Sequence, residues 1–219
     1  MTIKKPADVV ERYITEVSDL LLYDEEKKVI ALTELRHDIL DALGDDKRPI
    51  SVVFGPPSEV AANLSASYDW GTKSASWFVR FLAFVIDSAI LGGILLFFVA
   101  IPLNETLLVR PSDIERISWG ILLGFLLGFP ALLFSLIYFI FLERVYGTTF
   151  GKRILHLLVL DESGIRITWG QAITRNITKV HFLGQFLFID VLIGLLSKKT
   201  RGRHQRVMDY VSGTIVVQK

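Results

Sequence analysis

The residues best placed to do chemistry lie where charge is most costly. The stretch SWFVRFLAFVIDSAILGGILLFFVAIPL, Ser76 to Leu103, is apolar and long enough to cross a bilayer, yet it holds Arg80 and Asp87. These two are seven residues apart, nearly two helical turns, so they share a face about 10 Å apart along the axis. Arg80 lies close enough to the start to snorkel to the headgroups. Asp87 lies roughly 15 Å in from Trp77, and a carboxylate near the bilayer centre costs about 2.5 kcal/mol or more. It must therefore be protonated, be paired, or face a polar cavity. Three roles stay open. Asp87 can carry a proton or cation. It can bond a neighbouring helix or a basic partner such as Arg153 or Arg175. It can receive a ligand headgroup or a partner helix. Asp190, in a later apolar stretch, is a possible second carboxylate; if both faced one cavity they would form a cation site.

Other chemistries find little support. GTTFGKR carries Gly147, Gly151 and Lys152, but Arg153 stands where a P-loop needs Ser or Thr. Lys152, Arg153, Arg175, Lys198 and Lys199 read instead as anchors to the inner membrane surface and its anionic lipid. The chain has no cysteine, and its four histidines are scattered without ligand-like spacing. No nucleophile–base pair is evident, so no enzyme activity, metal or cofactor is expected.

The elements that must position these residues are largely membrane helices. The 219 residues are 51% hydrophobic, with mean hydropathy +0.46, too apolar for an ordinary soluble domain. Residues 1–76 hold 9 Lys and Arg against 14 Asp and Glu, while 198–219 holds 6 against one. That contrast fits two different environments, and nothing in it points to nucleic acid. A first span is expected at 77–101 and a second at 119–142, each exceeding the ~20 residues a bilayer needs. In the second, Gly120, Gly124 and Gly128 line one face with small residues, a surface for helix packing and for a homo-oligomer. Pro130 would kink that helix.

The third apolar stretch, 180–197, is short and contains His181, Gln185 and Asp190. The segments flanking it, 143–179 and 198–219, hold 6 Lys and Arg each, against 2 in 102–118. The positive-inside rule puts both flanks in the cytoplasm, so 180–197 is expected to be re-entrant or interfacial, with a full span as the alternative. A β-hairpin is expected at 154–168, turning at Asp161–Gly164, with a C-terminal strand at 213–218 completing a small cytoplasmic sheet. Between them, 169–180 reads as a basic helix at the inner surface, with Ala172, Ile173, Asn176, Ile177 and Val180 on one face. The fold class is thus mainly α and integral to the membrane.

Residues 1–70 read as a cytoplasmic three-helix head joined by a linker, 71–76. Apolar residues recur at helical spacing from Val9 to Leu21 and from Val29 to Leu43, Asp24 is a fair N-cap, and Pro57 can open a short helix. The order of elements and the ending VVFGPPSEVAANL resemble the HAAS family of small helical domains. No basic run followed by an apolar one opens the chain, so no signal peptide is expected and the N-terminus should stay cytoplasmic.

Three further stretches, SWFVRFLAFVIDSAILGGILL, GTTFGKRILHLLVLDESGIRITWGQAITRNITK and RGRHQRVMDYVSGTIVV, follow one another as in the RDD family of membrane proteins. The family's arginine and two aspartates look like Arg80, Asp87 and Asp209. Met208 stands where many members have histidine, so no role of that histidine carries over. The resemblance implies a multi-pass protein of the cell membrane that transports a small ion or solute, with cation/proton exchange as one form. Otherwise the membrane part anchors a signalling or scaffold protein whose head binds a cytoplasmic regulator.

Overall fold

The computed structural model describes residues 6–43, 48–107, 133–179 and 205–219 and positions 130, 192 and 196; at 6, 7 and 95–107 it describes the backbone only. The expected features at Gly120, Gly124, Gly128, Asp190, Lys198 and Lys199 and the stretch 180–197 as an element lie outside these residues.

The head has four helices, not three: α1 (Pro6–Leu20), α2 (Glu25–Leu43), the single turn α3 (Ile50–Val53) and α4 (Pro57–Ser67). Asp24 caps α2, its carboxylate accepting from the Glu26 amide at 3.0 Å. Pro57 opens α4, where a missing amide costs nothing. Val10, Tyr13, Ile14, Val17 and Leu21 turn one stripe of α1 onto Ala31, Leu35 and Ile39 of α2. Fully burying a side chain such as Val17 or Leu21 contributes about 1.5–3 kcal/mol. Val29 and Leu40, on the expected apolar face of α2, are instead exposed.

The expected linker and hairpin are both rearranged. Lys73–Ser74 forms a strand, β1; with β2 (Leu157–Asp161) and β3 (Thr214–Gln218) it makes an antiparallel sheet in the order β1–β3–β2. The third strand thus comes from the linker rather than from 165–168. The turn after β2 is as expected: the Gly164 amide bonds the Asp161 carbonyl at 3.0 Å, with Gly164 at φ 79°. Beyond it the chain leaves the sheet. The Arg166 amide bonds the Leu20 carbonyl, Ile167 is buried, and Thr168 caps the next helix in a capping box with Gln171.

The sheet is a septum with a core on each face. Leu158, Leu160 and Val217 point into the head core, beside Val17, Leu21 and Trp70. Leu157, Val159 and Val216 point the other way, onto Ala75, Ala83, Ile167 and Ala172. Alternation along a strand dictates this split, and the register Leu158↔Val217, Val159↔Val216 keeps both faces apolar. Head and base are further tied by Tyr23, whose hydroxyl donates to the Gly164 carbonyl at 2.7 Å and whose ring stacks on Trp70.

Below the sheet lies the base. It holds α5 (Trp77–Leu107), a helix α6 at 133–146, α7 (Phe150–Ile154), α8 (Trp169–Asn176) with a 3₁₀ turn Ile177–Lys179, and α9 (Val207–Val211). One helix among the described residues, with its apolar window at Trp77–Ile94, is long and apolar enough to cross a membrane. The base is apolar outside and charged inside. Phe78 and Phe81 of α5, Phe134, Ile137 and Phe141 of α6, Trp169 and Ile173 of α8, and Ile177 of the 3₁₀ turn are exposed. Asp87, Glu143, Arg175 and Asp209 are buried. A water-soluble domain shows the reverse order. Across α8 and the 3₁₀ turn after it the expected shared face is divided: Ala172 and Asn176 turn inward, Ile173 and Ile177 outward.

Candidate functional site: two sets of buried carboxylates

Asp87 sits on the inner face of α5, with 0% of its surface exposed. Three neutral donors hold it. The Tyr138 hydroxyl of α6 donates to Oδ1 at 2.7 Å, the Gly151 amide to the same oxygen at 2.8 Å, and the Thr149 hydroxyl to Oδ2 at 2.5 Å. Thr149 and Gly151 reach it because α7 packs tightly against α5. A Cβ on Gly151 would strike the Ala83 carbonyl and crowd the Asp87 carboxylate, so only glycine permits this approach. No ion pair to Asp87 occurs among the described residues. Arg153, offered as a partner from sequence, is exposed, and Arg175 pairs elsewhere.

Glu143 and Asp209 are treated differently: each is ringed by cations. Glu143, near the C-terminal end of α6, pairs with Lys152, with Arg175 Nε at 2.9 Å and with Lys179 Nζ at 2.9 Å. It also accepts from the Asn176 amide group at 2.8 Å. Asp209, on α9, pairs with Arg80, with Arg175 Nη2 at 3.2 Å and with Arg206 Nη2 at 2.9 Å. Arg175 therefore bridges the two acids, and the seven charged residues form one network. Four more contacts fix its edges: Lys179 Nζ lies 4.3 Å from the Phe139 ring centre, Arg80 lies over Trp77, Arg206 donates to the Arg175 carbonyl, and Asn176 donates to the Ala172 carbonyl.

The electrostatics follow from burial. Burial alone would push both acids up. The guanidinium and ammonium groups overrule it: Arg206, Arg80 and Arg175 hold Asp209 well below the usual range, and Arg175, Lys152 and Lys179 do the same for Glu143. The lysines move down because burial outweighs their acidic partner. Lys152 falls to about 8, and Lys179 lies well below its ordinary value.

Several expected sites are relocated. Arg80 does not snorkel; its side chain is nearly buried against Asp209, on a face that also carries Asp87 but in a separate set of contacts. Lys152 and Arg175 are not surface anchors but interior members of the network, and of that group only Arg153 is exposed among the described residues. Sequence reasoning missed Glu143, Tyr138, Thr149, Lys179 and Arg206 as site residues. One signal was available for Glu143, the sole acid between 119 and 160, ending an uncharged run.

The RDD family matches residues 74–213. No curated protein and no solved structure matches the chain.

Proposed function

This chain belongs to the RDD family, and from that premise we propose that it is a multi-pass cell-membrane protein that moves a small ion or solute past Asp87. The family is membrane-associated, and the apolar exterior and charged interior of the base support insertion into lipid. In this reading the N-terminal head, a HAAS-like domain, and the C-terminus both lie in the cytoplasm. The pairing of the linker strand that follows the head with the C-terminal strand supports one side for both.

One contrast carries the transport reading. Glu143 and Asp209 are each neutralised by three cations, whereas Asp87 receives two hydroxyls and an amide. A hydroxyl can donate to a carboxylate and accept from a carboxylic acid. Tyr138 and Thr149 therefore keep Asp87 satisfied in both charge states, which a site loading and unloading a proton or cation requires. Few spans in one copy enclose little, so the working form is a homo-oligomer. The carboxyl of Asp190 is the second candidate on the path.

A second reading keeps the membrane part as an anchor for a signalling scaffold. It is favoured by the acidic head, where Val29, Ile30, Leu40 and Val52 are exposed and offer a protein partner an apolar contact. The discriminating test is proton movement driven by Na⁺, Li⁺ or K⁺ gradients in proteoliposomes, with oligomeric state measured in nanodiscs. Cation-driven flux from an oligomer supports transport. A strictly monomeric, fluxless but folded protein supports the scaffold.

A further inference from the structure

Two arginines outside the charge network carry no acid of their own. Arg144, in the last turn of α6, and Arg166, in the segment before α8, make no hydrogen bond or ion pair through their side chains among the described residues. The Nε of each is buried, and a buried donor left without a partner is costly. The terminal nitrogens of both are not enclosed. The two charges are close enough to repel: burial, and then Arg144, push Arg166 below its ordinary range, against the pull of Asp19. Arg144 is held in place by Trp169, its Cζ lying 5.6 Å from the ring centre.

Arg166 lines a cleft of about 630 Å³ between the head and the end of the sheet, within the roughly 300–1,000 Å³ of small-molecule sites. Asp19, Leu22 and Glu26 line it too. Leu22 lies against Gly147, just past α6, so the helix that carries Arg144 ends at the cleft wall. The cleft holds both signs of charge without joining them. Asp19 acts on Arg166 yet forms no ion pair with it, and the Glu26 carboxylate accepts no hydrogen bond among the described residues. Of the other charges on the wall, Glu25 pairs with Lys28 at 3.4 Å, Asp24 caps α2, and Lys219 adds a cation. A ligand with one group of each sign can bridge what the protein leaves apart. The depth is also informative. Trp169 is exposed, 6.5 Å ring to ring from the exposed Phe141 at the edge of the apolar exterior, and an indole in that position marks headgroup level.

We propose that Arg144, Arg166, Asp19 and Glu26 bind a zwitterion in which a phosphate and a primary ammonium are joined by a short linker: the headgroup of phosphatidylethanolamine, or free phosphoethanolamine. The guanidinium forks take the phosphate oxygens, and the ammonium donates to the carboxylates. The lipid source rests on the membrane placement proposed above; the free source does not. Neither needs transport.

The test uses the full chain, delipidated in a neutral detergent, with melting temperature as the check of folding. Binding is followed on adding phosphatidylethanolamine, phosphatidylcholine, phosphatidylglycerol or free phosphoethanolamine. Phosphatidylcholine keeps the phosphate, but its quaternary ammonium has no N–H to donate; phosphatidylglycerol has no ammonium at all. We expect phosphatidylethanolamine to bind about fivefold more tightly than either, the upper end for an exposed ion pair. Arg166→Gln and Arg144→Gln should each weaken its binding by about tenfold, the size of one charge-assisted hydrogen bond. Asp19→Asn combined with Glu26→Gln should abolish the preference over phosphatidylcholine while leaving phosphatidylcholine binding unchanged. Arg153→Gln, at an exposed position, should change nothing. Saturable binding of free phosphoethanolamine, lost in the same variants, with no preference among the lipids, would assign the site to the free zwitterion. A folded wild type that prefers phosphatidylglycerol, or that neither discriminates among the lipids nor binds phosphoethanolamine, would overturn the proposal. So would Arg153→Gln weakening binding as much as Arg166→Gln, since general surface charge would then suffice.

Discussion

Removing the Glu143 carboxylate should be far more damaging than removing Lys152, one of the three cations it holds. In Glu143→Gln, Lys152, Arg175 and Lys179 lose their shared counter-charge while staying buried. Stripping one partner from a buried ion pair typically costs about 3–5 kcal/mol. For 219 residues, an unfolding entropy of about 2.1 cal/mol/K per residue gives roughly 0.46 kcal/mol/K, hence a melting temperature lower by roughly 7–11 °C. Lys152→Met takes one cation from a cation-rich cluster and leaves Glu143 two others, so its cost should stay below about 1.5 kcal/mol, or roughly 3 °C. Glu143 is held well below its ordinary range, so its contribution is fully present above the unfolded value. It is lost only as pH falls through the lower folded one, and at pH 7 it is intact. The assay is a tryptophan-fluorescence melt at pH 7 in a zwitterionic detergent free of anionic lipid. A Glu143→Gln melt within about 2 °C of wild type, or a Lys152→Met loss as large as that of Glu143→Gln, would refute the reasoning.

Three further outcomes are expected. In the same detergent, stability should rise between about pH 8 and 10.5, where the unfolded chain holds a proton that folded Lys152 has released; Lys152→Met should flatten that rise relative to wild type. Gly151→Ala should drive α7 off α5 against the Ala83 carbonyl, lowering stability by about 1–3 kcal/mol, seen as a lower melting temperature. Tyr23→Phe should loosen head from base, losing about 1 kcal/mol and speeding limited proteolysis around Gly164 without changing either charge network.

How much of this was legible in the sequence depended on the range of the interactions. Local chemistry read well. The cap at Asp24, the start at Pro57, the turn at Gly164 and the helix through Asp87 each rest on residues a few positions apart. Partners far apart in sequence did not read. β1 is only two residues long, and β3 holds it from more than 140 positions away, so no local pattern marks Lys73–Ser74 as a strand. The hairpin failed at 165–168 because Thr168 and Gln171 offer a capping box, which competes with strand pairing. The charged residues of 143–179 suggested an inner membrane surface, because basic residues near apolar runs usually sit there. Their burial is a tertiary fact: Glu143, Arg175 and Asp209 come from three separate elements, and only the fold brings them together. Asp87 was legible as a problem, since its burial cost is visible in sequence. Its solution was not, because Tyr138, Thr149 and Gly151 lie more than 50 residues away.

The most direct test of the transport reading compares wild type with Asp87→Asn in proteoliposomes under an imposed cation gradient. The asparagine keeps the size of the side chain and can still accept from Tyr138 or Thr149, so the base should fold, which a matched melting temperature verifies. The prediction is cation-dependent proton movement in wild type, falling to the rate of empty liposomes in Asp87→Asn. Undiminished flux in the folded variant, or no flux from folded wild type, would contradict it and leave Asp87 as a pin joining α5 to α6 and α7.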